Sequence, residues 1–216
     1  MSFSLRGLYA LTDSHLIPSE RLVDTVEAAI IGGAKIIQYR DKTDDDRLRL
    51  KQAHALQQLC QQYKVALLIN DDVELAHQVG ADGVHLGKDD MSLSKARTML
   101  GNDAIIGVSC YNQLPLAQQA VQAGATYVAF GSFFSSQIKP NAVRATLDLL
   151  RQARQSLKCP MVAIGGITPA NGIELVKAGA DCLAVIQGLF GQTNVTAAAQ
   201  RYAQLFGSSF ADTGVV

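Results

Sequence analysis

Excess charge of either sign is missing from this chain. Nineteen Lys and Arg stand against nineteen Asp and Glu, a formal net charge of zero, so no bulk basic field argues for a nucleic-acid partner. A cysteine framework is missing too. Cys60, Cys110, Cys159 and Cys182 are widely spaced with no C-x-x-C pair, which excludes a disulfide scaffold and a cysteine zinc site and reads as four reduced thiols. No apolar run approaches the ~20 residues of a membrane helix, and residues 1–6 have no long apolar stretch of the signal-peptide kind. The four histidines show no zinc-ligand spacing, and no G-x-S-x-G nucleophile motif occurs. Together these absences predict a soluble cytoplasmic protein with no membrane partner.

What is present is a rhythm. Eight short apolar runs, at 8–12, 36–39, 66–69, 83–86, 105–109, 127–131, 161–165 and 182–187, are each followed by a stretch of helix length. Most are apolar at both alternate positions, as strands covered on both faces must be. Amphipathic stretches such as 21–31, 47–63 and 142–157 separate them. Strict strand–helix alternation predicts a parallel sheet with right-handed crossovers. Eight units in 216 residues predict closure into a single (β/α)8 TIM barrel. An open doubly wound sheet is the alternative. Gly33-Ala34, Gly80-Ala81, Gly124-Ala125 and Gly179-Ala180 form a weak repeat before the second, fourth, sixth and eighth runs. Glycine there reads as a helix stop leading into a strand. The barrel is expected to occupy 1–207 as one domain, with 208–216 a loose tail.

Polar clusters close several of the runs. In a barrel they meet at one mouth, where loops from distant positions converge on a ligand. Gln38, Arg40 and Lys42 alternate along one run, with Tyr39 and Asp41 between them. An Arg fork and a mobile Lys charge suit a diphosphate, although a solvated strand end reads the same way. Asn70-Asp71 and Asp89-Asp90 follow adjacent runs. Carboxylates there can hold Mg²⁺, which takes its other ligands from water and substrate phosphates, or they can cap helices. Gly165-Gly166 after the seventh run and Ile186-Gln187-Gly188 at the eighth fit a backbone phosphate site or tight turns. Ser132, Ser135, Ser136 and Lys139 share the loop after the sixth run. His85 reads as a packed, hydrogen-bonded barrel residue, and His15, His54 and His77 as surface positions.

In order along the chain, Tyr9-Ala10-Leu11-Thr12-Asp13, residues 37–42, Ile69-Asn70-Asp71, residues 82–87 with Asp90, Gly107-Val108-Ser109, residues 136–139 and residues 163–168 resemble the thiamine-phosphate synthase family. The resemblance covers about residues 8–190. It implies a Mg²⁺-dependent (β/α)8 transferase that joins a hydroxymethylpyrimidine diphosphate to a thiazole phosphate, in carboxylated or decarboxylated form, and releases diphosphate. The implied chemistry is dissociative, with diphosphate leaving before the thiazole nitrogen attacks.

Carried over by residue, the resemblance implies that Gln38, Arg40, Lys42, Asn70 and Lys139 contact the pyrimidine diphosphate, with Tyr39 and Asp41 of the same run also expected to bind substrate. Asp71 and Asp90 would hold Mg²⁺, and Ser109 would bond the pyrimidine. Ser136, Gln137, Ile138, Gly166, Ile186 and Gln187 would line the thiazole-phosphate side. Arg40, Lys42, Ser109 and Lys139 are the expected catalytic set. Three positions depart from the family pattern. Ile138 replaces a hydroxyl residue, Gln187 a Ser, and Tyr111 stands where His is common. Ile138 and Gln187 keep two alternatives open, a related thiazole tautomerase and a non-catalytic precursor-binding barrel, whereas the missing His counts against the tautomerase. The implied partners are small molecules, and a homo-oligomer is allowed.

Overall fold

β1 (Gly7–Leu11), β2 (Ala34–Tyr39), β3 (Ala66–Asn70), β4 (Gly83–Leu86), β5 (Ile105–Tyr111), β6 (Tyr127–Gly131), β7 (Met161–Ile164) and β8 (Cys182–Val185) pair in parallel. In the computed structural model, which describes residues 5–135 and 143–207, they form a closed barrel in sequence order. Closure comes from β1 and β8, which pair from Gly7↔Cys182 to Ala10↔Val185. Helices α1 (Leu22–Ile31), α2 (Asp46–Tyr63), α3 (Val73–Val79), α4 (Leu93–Leu100), α5 (Leu114–Gln122), α6 (Leu147–Ser156) and α7 (Pro169–Lys177) follow the first seven strands. A single turn, α8 (Gln187–Phe190), and α9 (Val195–Gly207) follow the eighth. The predicted barrel is what forms, and no helix among the described residues is long and apolar enough to cross a membrane. The expected tail, 208–216, lies outside the described residues.

Strand alternation sorts the apolar residues into two layers. On β1, Leu8 and Ala10 face the helices, whereas Tyr9 and Leu11 face inward with Ile36, Leu68, Ile105 and Tyr127. All four glycines of the Gly-Ala repeat have positive φ, from 67° at Gly80 to 113° at Gly179, as residues that end a helix and start a strand require.

The third predicted helix is shorter than its apolar pattern. Residues 142–157 read as one amphipathic stretch, but α6 starts at Leu147. Its N-cap is Thr146, whose side chain accepts from the Leu149 N–H. Residues 143–145 are instead tied to the loop after β6: Ser132 N–H donates to Val143 O at 2.9 Å, and Ala145 N–H to Ser132 O at 3.0 Å. Ala142 lies outside the described residues.

The interior tolerates no side chain at Gly107, because a Cβ there would stand 1.9 Å from Cζ of Tyr127. Gly107→Ala must push the Tyr127 ring off β5. We expect a loss of about 1–3 kcal/mol, the usual cost of overpacking a core, measured by urea unfolding; an unchanged midpoint would show that the ring has room to yield.

Candidate active site

The C-terminal ends of β1 and β2 are stapled together beyond their last ladder bonds. Thr12 N–H donates to Gln38 O at 3.0 Å, and the Thr12 hydroxyl accepts from the Arg40 N–H at 2.9 Å. Asp13, buried at the end of β1, receives the Arg40 guanidinium through Nη1–Oδ2 at 3.1 Å. Its other oxygen accepts from the His15 N–H at 3.0 Å. A buried carboxylate held on both oxygens is a rigid anchor, and a planar guanidinium gripped at one nitrogen still offers its remaining donors to the mouth.

Lys42 reaches across to β3, where its ammonium pairs with Asp71 Oδ2. The same oxygen accepts from Asn70 Nδ2 at 2.6 Å. Asp71 has φ 64°, a left-handed conformation that Asp tolerates better than bulkier residues. Asp90, on the loop after β4, accepts from the Gly87 N–H at 2.6 Å and lies beside Asp71. Neither carboxylate is a helix cap. Asp72 caps α3 by accepting from the Leu75 N–H, and Ser92 holds the cap position of α4.

Each carboxyl therefore bears on the ionisation of the other. Burial raises both; at Asp71 the hydrogen bonds with Lys42 and Asp90 outweigh it and hold this carboxyl below its ordinary range. At Asp90 the bond to Asp71 adds to burial and lifts the group above its range. A hard divalent cation fits such a pair, with phosphate and water oxygens completing its shell. No group of three or more His, Cys, Asp or Glu able to hold a metal occurs among the described residues.

The floor of the mouth is polar in one line and apolar elsewhere. Gln38 Nε2 donates to Tyr9 OH at 2.6 Å, and Tyr9 OH bonds Tyr127 OH at 2.8 Å. Tyr127 OH bonds His85 Nδ1 at 2.8 Å, and His85 Nε2 bonds Ser109 Oγ at 2.9 Å. The imidazole lies against the Tyr127 ring with centroids 5.6 Å apart at 21°. Burial pushes the His85 pKa down to about 4, which keeps the ring neutral near neutral pH. Leu11 and Ala129, with Ile164 and Ile186 packed against them, supply the apolar remainder.

Gly165 and Gly166 have φ 106° and 62°, and the space a Cβ would need is filled by protein. Ser132 Oγ would lie 2.1 Å from a Cβ on Gly165, and Ser135 O would lie 2.3 Å from one on Gly166. The glycine pair thus lets the loop after β6 lie on the end of β7, where Phe133 and Phe134 N–H groups donate to Ile164 O and Gly165 O. Gln187, at the start of α8, turns back along its own helix. A Cβ on Gly191 would come within 2.5 Å of Gln187 Nε2.

The structure thus gathers Gln38, Arg40, Lys42, Asn70, Asp71, Asp90 and Ser109 at one end of the barrel, with Gly166, Ile186 and Gln187 on the loops after β7 and β8. Tyr39 and Asp41 stand apart from the first set. The Tyr39 side chain is buried in the helix layer, and its hydroxyl donates to Gln52 Oε1 at 2.6 Å. Asp41 turns its Oδ1 onto the Thr43 N–H. Ser136, Gln137, Ile138 and Lys139 lie outside the described residues. His85 is the hydrogen-bonded barrel residue expected, and His15, His54 and His77 are exposed. Asp13, Thr12, Tyr9 and Tyr127 were not singled out as site residues. A polar pair ending the first run was the available signal for Thr12 and Asp13; the tyrosines gave none, since an aromatic in an apolar run reads as core.

A family model described as thiamine monophosphate synthase matches residues 8–189. The chain is 53% identical over 208 residues to the thiamine-phosphate synthase of Nitrosococcus oceani, covering 96% of each. It is 50% identical over 205 residues to that of Acidithiobacillus ferrooxidans, covering 94% of each. Among solved structures, a thiamine phosphate pyrophosphorylase from Pyrococcus furiosus superposes with TM-score 0.86 at 35% identity, over 94% of this chain and 96% of that one. A geranylgeranylglyceryl phosphate synthase from Thermoplasma acidophilum, at TM-score 0.68 and 18% identity, shares the fold alone.

The depressed His85 pKa makes stability depend on pH. Below its ordinary value of 6.5 the unfolded chain takes up a proton that the folded ring refuses until about pH 4. The contribution is therefore complete above pH 6.5 and is lost as the pH falls, by up to about 3 kcal/mol. Urea unfolding at pH 7, 6 and 5 should show this decline, and His85→Gln should flatten it; equal slopes would mean that the fold does not keep the ring neutral.

Proposed function

Since the chain belongs to the thiamine monophosphate synthase family, we propose that it is the transferase joining a hydroxymethylpyrimidine diphosphate to a thiazole phosphate, with release of diphosphate. The observation that carries this reading is the set of charges at one mouth: Lys42 and Asn70 bonded to Asp71 beside Asp90, and Arg40 held by Asp13 on the neighbouring strand ends. Neither Asp caps a helix, so the alternative structural duty for this pair is gone. A site with two cations beside two adjoining carboxylates suits a diphosphate bound with a divalent cation.

The residues divide the work. Arg40, oriented by Asp13, and Lys42, held over Asp71, bind the diphosphate and neutralise the charge that grows as the methylene C–O bond breaks. Lys139 belongs to the same set. Asp71 and Asp90 would hold a Mg²⁺ ion, which would supply further neutralisation of the leaving diphosphate. Asn70 orients Asp71 through its amide. Gln38 and Ser109 place the pyrimidine ring over the apolar floor, and Gly166, Ile186 and Gln187, with Ser136, Gln137 and Ile138, bound the thiazole-phosphate side. The thiazole nitrogen's lone pair then forms the C–N bond to the methylene carbon, and holding the two within reach supplies much of the rate. No general base is required, in keeping with a neutral His85 that is already bonded at both nitrogens.

The direct test is incubation of the purified protein with both substrates and Mg²⁺, read by mass spectrometry for thiamine phosphate. Asp71→Ala and Asp90→Ala are each expected to lower turnover at least ~100-fold, the usual cost of removing a group that stabilises transition-state charge. Wild-type rates in both variants would remove the metal assignment. Asp13→Ala should raise KM for the pyrimidine diphosphate about tenfold, equivalent to ~1.4 kcal/mol, because Arg40 loses its anchor. An unchanged KM would show that Arg40 is not oriented through Asp13.

A further inference from the structure

Five side chains from five strands make an unbroken line through the barrel interior: Gln38, Tyr9, Tyr127, His85 and Ser109, joined by four hydrogen bonds of 2.6–2.9 Å. We propose that Tyr9, Tyr127 and His85 are positioning residues that give this line a fixed direction, so that the Ser109 hydroxyl is obliged to donate to the bound ring and the site selects a ring with an acceptor atom there. The ligand half of this proposal rests on the synthase reading.

The direction follows from proton counting. Each phenol has one proton and both phenols are buried, Tyr9 1% and Tyr127 0% exposed. Gln38 Nε2 gives a hydrogen to Tyr9, so the Tyr9 proton must go to its only other partner, Tyr127. Were Tyr127 to donate to Tyr9 instead, the Tyr9 proton would have no acceptor among the described residues, and an unpaired buried donor is costly. Tyr127 then has its own proton left for His85 Nδ1, so the ring hydrogen sits on Nε2 and points at Ser109 Oγ. An imidazolium is excluded by the same count, since donors converging from both ends would strand one phenol proton. Ser109, receiving from His85, keeps its own hydrogen, for which no protein acceptor occurs among the described residues.

Reversing the amide of Gln38 would reverse every bond. Ser109 would then spend its proton on His85 and could only accept. The donor character of a residue at the mouth is thus set by an amide on the far side of the barrel, through three residues with no need to touch the ligand. Gly107 is part of the device, because only the absence of a Cβ lets the Tyr127 ring lie where its hydroxyl meets both Tyr9 and His85.

The first experiment needs no ligand. Nitrogen-15 NMR of the histidine-labelled protein near neutral pH, with the His85 signals assigned by their loss in His85→Gln, is expected to show hydrogen on Nε2 and a bare Nδ1. Hydrogen on Nδ1 would overturn the proposal.

The second compares binding of 4-amino-2-methyl-5-hydroxymethylpyrimidine with that of the two pyridine analogues carrying C–H in place of one ring nitrogen. The wild type should prefer the pyrimidine over one analogue by about tenfold, the worth of one hydrogen bond in a desolvated site. Ser109→Ala should erase that ratio and Tyr127→Phe should pull it toward one. Were Tyr127 mere packing, its loss would weaken both ligands alike and leave the ratio intact, which would overturn the proposal. If Tyr127→Phe does not fold, Tyr9→Phe is measured in its place. A wild type that binds none of the three would remove the synthase reading and with it the ligand half, while the tautomer stands or falls by its own measurement.

Discussion

The hydroxyl of Tyr127 is the point on which the interior turns. It bonds the phenol of β1 and the imidazole of β4, and its ring occupies space that β5 vacates at Gly107. A barrel of eight short strands must fill its centre with side chains, and here several of them carry polar atoms. Buried polar groups stabilise a fold only when all their hydrogen bonds are made. Once Tyr127 is seated, Tyr9, Gln38, His85 and Ser109 have little freedom left, and five strands are held in register by side chains as well as by their ladders.

A second constraint governs the rim. Arg40 and Lys42, the two described cations of the site, each rest against a carboxylate, Asp13 and Asp71. Paired this way, the site holds its charges in place without accumulating a field of one sign. The chain's zero net charge reflects the same balance on a larger scale. Backbone bonds from Thr12 to β2 keep the first pair fixed relative to the second.

Much of this was legible in the sequence, for identifiable reasons. Strands covered on both faces leave apolar runs, and glycines that end helices leave a repeat, so the eight-fold plan could be read directly. The carboxylates and cations at the strand ends were legible because charge at the end of a buried strand is conspicuous. The Tyr9–Tyr127 bond was hidden because it joins residues 118 positions apart that both look like core. Asp13 was hidden because its worth lies in a partner on the next strand. Amphipathic pattern overran the start of α6 because periodicity cannot see that residues 143–145 are already bonded to the loop after β6.

The seam between β1 and β8 has a bearing on how the protein is made. The first strand pairs with β2 on one side and with β8 on the other, and β8 is synthesised roughly 170 residues later. At ~5–20 residues per second, translation leaves one edge of β1 without its partner for on the order of ten to thirty seconds. During that interval the nascent chain carries an open sheet edge next to an inward face bearing Tyr9, and an unpaired edge is a template for the wrong neighbour. Packing of α9 against α1, where Thr196 Oγ1 bonds Ala28 O at 3.1 Å, comes later still. The edge that opens first in synthesis is thus closed only when the eighth strand has left the ribosome.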